Sequence, residues 1–254
     1  MDRDYFNSSI RSFSTFVEKH YLLDSVVYNV SLPRSPDFYR TCIDSRDYVE
    51  IYEKGLSLSY YNVLFTDLSY FQFSHRSDRE WALAYYPNPR ISGNSEALRD
   101  FEELKVSYDR GEISDEDYAE ILTSFPARMF IPRFRYEYSD EQYEPVRHPI
   151  AHFHIGMSGE DRWGVSRKLS PFSFGLLMLK YFYPGVWWKN SRFTLDVKDR
   201  DDAEIKRNCL DFILVNSLRR DGVADRMDAE EALSFHFSAP VSYTHLRAHE
   251  TRGN

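Results

Sequence analysis

The chain has 254 residues, a formal net charge of -8, 42% hydrophobic and 17% aromatic residues, among them 19 Tyr and 19 Phe. That length suffices for one well-cored domain, and the aromatic load favours a sheet over a loose helical bundle. Nothing in the acidic balance suggests a general affinity for nucleic-acid backbone or anionic membrane, while a local basic patch could still bind either, and a nucleotide or nucleic acid stays open as partner.

In chain order, the N-terminal "MDRDYFNSSIRSF" lacks the apolar core of a signal peptide. Ile10, Phe13, Phe16, Val17 and Tyr21 recur at helical spacing, which predicts an N-terminal helix. "SVVYNVSLP" reads as a strand ended by Pro33, and "SRDYVEIYEKG" as a short helix capped by Ser45 and stopped by Gly55. "DLSYFQFSH" and "EWALAYYP" form a predicted hairpin, with strands at 68–74 and 80–86. An acidic helical hairpin at 95–124 is inserted next. Leu98, Phe101, Leu104 and Tyr108 make one stripe closed by Gly111, and Ser114 with Asp117 restarts the helix into Tyr118, Ile121 and Leu122.

Strands follow at 131–138 and 148–156, with "RWGVSRKL" a third. "SPFSFGLLMLKYFY" carries a Ser170 cap, Pro171 at the first helical position and Pro184 as terminator. It is apolar nearly all round, so it predicts a buried central helix. "DDAEIKRNCLDFILVNSLRR" opens with the capping pair Asp201 and Glu204, buries Ile205, Cys209, Phe212 and Ile213, and stops at Gly222. Strands in the middle and helices at both ends give an α+β class: one antiparallel sheet of about five to seven strands, N- and C-terminal helices packed on it, and an inserted helical hairpin. The two cysteines, Cys42 and Cys209, form no CxxC and no disulfide framework, and no apolar run approaches ~18 residues. A cytoplasmic protein with no membrane partner is expected.

"HPIAHFHIG" (148–156) holds three of the eight histidines. Alternation along a strand puts His148, Ile150, His152, His154 and Gly156 on one face. Two imidazoles two residues apart suit a clamp on one metal ion or one phosphate oxygen, or a division of acid and base roles, and Gly156 admits close approach at the strand end. Arg162, on the next predicted strand, offers a guanidinium fork for phosphate or carboxylate. His148, His152 and Arg162 are therefore the candidate catalytic residues, and His154 and Gly156 candidate binding residues. The same face also reads as a ladder of rings hydrogen-bonded among Tyr136 and Tyr138. No metal is assigned, because the spacing supplies two imidazoles and no third or fourth ligand; no cofactor is assigned either. "WWKN" with Arg192 offers a weaker site, Trp188 stacking a base beside a phosphate contact, against the plainer role of capping a core.

The stretch "VSYTHLRAHETRGN" (241–254) resembles, in its first eleven residues, a translated sequencing adapter. It is set apart as a non-native tail that implies a metagenomic source and an interrupted reading frame, leaving 1–240 as a single domain. Removing its two arginines and one glutamate shifts the net charge only from -8 to -9.

From about Tyr48 to Trp188, the order "LSYFQFSH", "LAYYPNP", "RFRYEY", "HPIAHFHIG", Arg162 and "LSPFSFGLLMLKYFYP" resembles a bacterial family known as domain of unknown function 2290. His148, His152, Gly156, Arg162, Pro171 and Phe174 match its pattern and His154 departs from it, which the resemblance sets against an HxH metal clamp. The family implies no activity. Two functions remain in view. One is an accessory or interaction protein, of a defence or toxin-type operon, that binds a protein partner through its aromatic surface and acidic hairpin. The other is an enzyme acting on a phosphodiester or nucleotide, with His152 as acid or base, His148 as its partner and Arg162 stabilising negative charge.

Overall fold

The computed structural model describes residues 1–91, 95–127, 133–156, 162–191, 209–224, 226 and 231. The readings made for Arg192, for 201–208 and for the tail 241–254 lie outside the described residues. Seven strands stand in the sheet in chain order, each antiparallel to its neighbours: β1 (Leu23–Val26), β2 (Val63–Phe65), β3 (Tyr70–Ser77), β4 (Glu80–Tyr86), β5 (Phe134–Ser139), β6 (Ala151–Ile155) and β7 (Trp163–Gly164). The described helices are α1 (Arg3–Lys19), α2 (Pro36–Asp44), α3 (Tyr48–Ser57), α4 (Ser95–Asp109), α5 (Asp115–Ser124), α6 (Pro171–Phe182), α7 (Pro184–Ser191) and α8 (Leu210–Asp221). This is the α+β class expected, at the upper end of the strand count.

Strand alternation divides the side chains between two faces. Phe71 and Phe73 of β3, Leu83 and Tyr85 of β4, Tyr136 of β5 and Ala151 of β6 point into the main core, where Phe6, Phe13 and Val17 of α1, Phe174 and Leu176 of α6 and Leu210 of α8 meet them. On the opposite face Tyr70, Ala84 and Tyr86 pack against Phe38 of α2 and Tyr48, Ile51 and Tyr52 of α3. That second cover lies over β2 to β4. The same face of β5 and β6 carries arginine, glutamate and histidine instead.

Helix α6 has the predicted Ser170 cap, whose hydroxyl accepts the Ser173 N–H, and it buries seven of its twelve residues. Gly175 is there because α1 crosses closely: a Cβ at that position would drive into the Phe13 ring. The acidic hairpin also forms as expected. Ser114 caps α5, accepting the Asp117 N–H at 3.1 Å while donating to the Asp117 carboxylate at 2.9 Å. It is anchored by a small core of Ile91, Ala97 and Phe101 and by Arg90, which donates to the Thr123 and Phe125 carbonyls and pairs with Glu53.

Several local expectations are corrected. The strand read in "SVVYNVSLP" ends at Val26, because the Asn62 side-chain amide takes the Tyr28 and Val30 carbonyls that a ladder would have used. Gly55 does not stop α3 but sits inside it, where only hydrogen fits against the Tyr70 ring. Ser45 ends α2, a helix whose Ser35–Pro36 start passed unread, and Asp47 caps α3. Pro184 ends α6 and also opens α7. In α8 the buried stripe is Leu210, Leu214, Ser217 and Asp221, so Phe212 is exposed. Strand β6 begins at Ala151, three residues late: Pro149 has no N–H for a ladder, and the chain before it turns through a bridge between Glu144 and His148. Ile150, outside the strand, therefore enters the main core instead of the histidine face.

Candidate functional site

The residues of β5 and β6 that face away from α6 are set by register. Arg135 pairs with His154 and Glu137 with His152, while Tyr136 and Tyr138 pair with Phe153 and Ala151. The two tyrosines expected to hydrogen-bond the imidazoles thus point to the other side of the sheet. On β7, Gly164 pairs with His152, and continuing that register sets Arg162 opposite His154. On the other flank Ala82 and Ala84 stand opposite Glu137 and Arg135. Two cross-strand rows result, Ala82–Glu137–His152–Gly164 and Ala84–Arg135–His154–Arg162. Small residues, Ala82, Ala84 and Gly164, flank the polar ones on both sides.

His148, His152 and His154 do come together. Successive ring centroids are 4.8 Å apart, with interplanar angles of 80° and 76°. His152 is wholly buried and His154 is 5% exposed, whereas His148 is half-buried. The Nδ1 of His152 lies 2.8 Å from the Pro149 carbonyl oxygen. A carbonyl only accepts, so that nitrogen carries the proton and Nε2 presents a lone pair. This Nε2 is 3.0 Å from the Nε2 of His154. Oε2 of Glu137 is 3.6 Å from the first and 3.5 Å from the second. The other carboxylate oxygen, Oε1, is in close contact with the Arg135 guanidinium. Arg135 keeps 39% of its side-chain surface in solvent and so links the buried imidazoles to the exterior.

Burial sets the charge state. Loss of hydration lowers His148 and His152 to about 4, and His154 to about 3. The positive charge of Arg162 acts in the same direction on all three, and that of Arg135 on His152 and His154. The imidazoles are therefore neutral near pH 7, so His152 carries no extra proton to give as a general acid there, and its lowered basicity makes it a weak general base. They retain lone pairs and N–H groups for binding.

The other candidates fare differently. Gly156 has φ +93°, and a Cβ there would meet nothing within 4 Å. Glycine is required by backbone conformation, not by close approach. Trp188 is exposed on α7, in the helical layer built on α6 and α8, and is not part of the histidine face; its neighbour Trp187 is the buried one, donating to Asp211. Arg192 lies outside the described residues.

Sequence reasoning missed Glu137 and Arg135. Their signal was present in "RFRYEY", where Arg133, Arg135 and Glu137 share one parity of a strand whose other parity is aromatic. Glu137, His152 and His154 are also the described residues whose ligand atoms converge closely enough to hold a metal ion.

The family model described as "Uncharacterized conserved protein (DUF2290)" matches residues 12–238. No curated protein matches the chain, and neither does any solved structure.

Proposed function

The chain belongs to the DUF2290 family of uncharacterised conserved proteins, and from its histidine face we propose that it binds a phosphate-bearing ligand, a nucleotide or a phosphodiester. One observation carries this reading: Arg135 pairs with His154, beside the pair of Glu137 and His152, and Arg162, immediately before β7, lies close enough for its charge to act on all three histidines. Guanidinium forks engage phosphate oxygens through paired charge-assisted hydrogen bonds, and neutral imidazoles add a donor or acceptor at fixed positions. The chain's net negative charge makes such binding depend on this local cluster, not on the field of the whole protein.

The test is calorimetry and histidine-resolved NMR on the full chain in chelator-treated buffer, with inorganic phosphate and a mononucleotide as ligands. Wild type should bind and shift the His152 and His154 resonances. Arg162→Gln should weaken binding by roughly 10-fold or more, the worth of one charge-assisted contact. Absence of any shift with either anion, both in chelator-treated buffer and after a divalent metal is added back, overturns the reading.

A second reading, docking of a protein partner, is favoured by the hairpin α4–α5. Helix α5 buries no residue and opens with Asp115, Glu116 and Asp117, while Val106 and Ile121 are exposed. Such a surface, tied to the sheet side by Arg90, suits a basic partner with apolar contacts. Charge reversal at Asp115–Asp117 should abolish co-purification of such a partner without changing phosphate binding.

A further inference from the structure

We infer that Glu137, His152 and His154 form a binding site for a divalent transition-metal ion of the zinc class, in which Oε2 and the two Nε2 atoms are the ligands. The inference takes up the site proposed above and rests on that reading for what the ion would hold.

The argument is geometric. The three ligand atoms form a triangle with sides of 3.0, 3.5 and 3.6 Å. The circle through its corners has a radius of about 2.0 Å, close to the length of a zinc–nitrogen or zinc–oxygen bond. An ion only slightly above the triangle would therefore reach all three at bonding distance without moving a strand. The edges are also those of a tetrahedron built on such bonds, which leaves a fourth corner open.

The surroundings of the ligands point the same way. His152 gives its Nδ1 proton to the Pro149 carbonyl, the kind of outer contact that fixes the tautomer of a ligating imidazole and aims Nε2 at the ion. Glu137 divides its oxygens, Oε1 to Arg135 and Oε2 toward the imidazoles, so its carboxylate is oriented by a second group. Were His154 also protonated on Nδ1, two lone pairs would face each other at 3.0 Å, an arrangement that a cation between them relieves. Without an ion, Nε2–H of His154 donates to the Nε2 lone pair of His152 at 3.0 Å; an ion entering between them requires that proton to move to Nδ1 of His154, which is buried with no hydrogen-bond partner among the described residues. An imidazole–imidazole–carboxylate set belongs to zinc and its neighbours rather than to calcium or magnesium, which prefer oxygen. Arg135 pairs with His154 across the strands and the register of β7 brings Arg162 opposite it, so a phosphate held by these guanidinium groups would offer an oxygen to complete the coordination.

The experiment uses the full chain carrying His245→Ala and His249→Ala, so that the tail histidines contribute nothing. After chelation and desalting, the protein is titrated with Co2+ alone and then with Zn2+ against a chromophoric chelator. One equivalent of Co2+ should give the visible absorption of a tetrahedral nitrogen–oxygen site, and Zn2+ should displace it. Glu137→Gln and His154→Gln should each weaken binding by roughly 100-fold or more, above the loss from an outer contact alone, while Cys42→Ser changes nothing. Circular dichroism of each variant in chelator checks its folding. If a variant unfolds, proton NMR of wild type with Zn2+ stands in, with His152 and His154 the resonances that must move. No saturable binding, or binding indifferent to these residues, overturns the inference. Where no metal binds, phosphate binding in chelator would leave the phosphate reading intact and overturn the ion site alone. One equivalent of metal with no phosphate binding, with or without the ion, would overturn the reading and keep the ion site.

Discussion

At the scale of single residues, the histidines show how burial changes a group's chemistry. An exposed imidazole titrates near neutrality, but His148, His152 and His154 are held at about 4, 4 and 3, first by loss of hydration. The consequence for stability follows by linkage. Between about pH 6.5 and pH 4 the unfolded chain takes up protons that the folded chain refuses, so the stability present above pH 6.5 is lost as the pH falls through that window. The urea midpoint of the metal-free protein should therefore drop between pH 7 and pH 4.5. The drop should be shallower in His154→Gln, which removes one such group. Parallel pH profiles for the two proteins would mean that the imidazole of His154 is not held neutral by its surroundings.

At the scale of elements, α6 is the piece on which the main core converges. Its Ser170 cap and Pro171 start set the N-terminus, its apolar circumference lets it lie between α1, α8 and the sheet, and Gly175 lets Phe13 close in. Leu176 is fully buried there. Leu176→Ala should cost about 2–5 kcal/mol in chemical denaturation, the range for a truncated leucine in a packed core. A cost under roughly 0.5 kcal/mol, the level of a neutral surface change, would show that the helix is loosely seated. Strand β5 is the comparable element for the site. Its even residues serve the core and its odd ones the polar face, so one short segment anchors the fold and supplies Arg135 and Glu137.

For the molecule as a whole, strands β2 to β4 are shared by both cores, with Val63, Phe71 and Leu83 on one side and Leu64, Tyr70 and Ala84 on the other. Neither core can open without disturbing the other. Thermal unfolding followed by near-ultraviolet signals from the tyrosine cluster and by far-ultraviolet backbone signals should therefore coincide. Separate midpoints would show two independent units. Deleting 241–254, which has no apolar period, should leave that midpoint unchanged. Much of this architecture was legible from residue order alone. The β3–β4 hairpin, the acidic insertion with its Ser114 cap, the buried α6 and the face shared by His152 and His154 all arise from local periodicity and capping, which act over a few residues. Local signals misled where a distant group intervened: the Asn62 amide ended β1, the Tyr70 ring kept Gly55 inside α3, and packing turned α8 so that Phe212 faces outward. The site divides in the same way. Sequence by itself determined that the imidazoles lie two apart on one strand. Only the tertiary structure decided that Glu137 and Arg135, and not Tyr136 and Tyr138, face them, because a one-residue change of parity or register reverses every side chain of a strand, and register is settled by pairing between segments far apart in the chain.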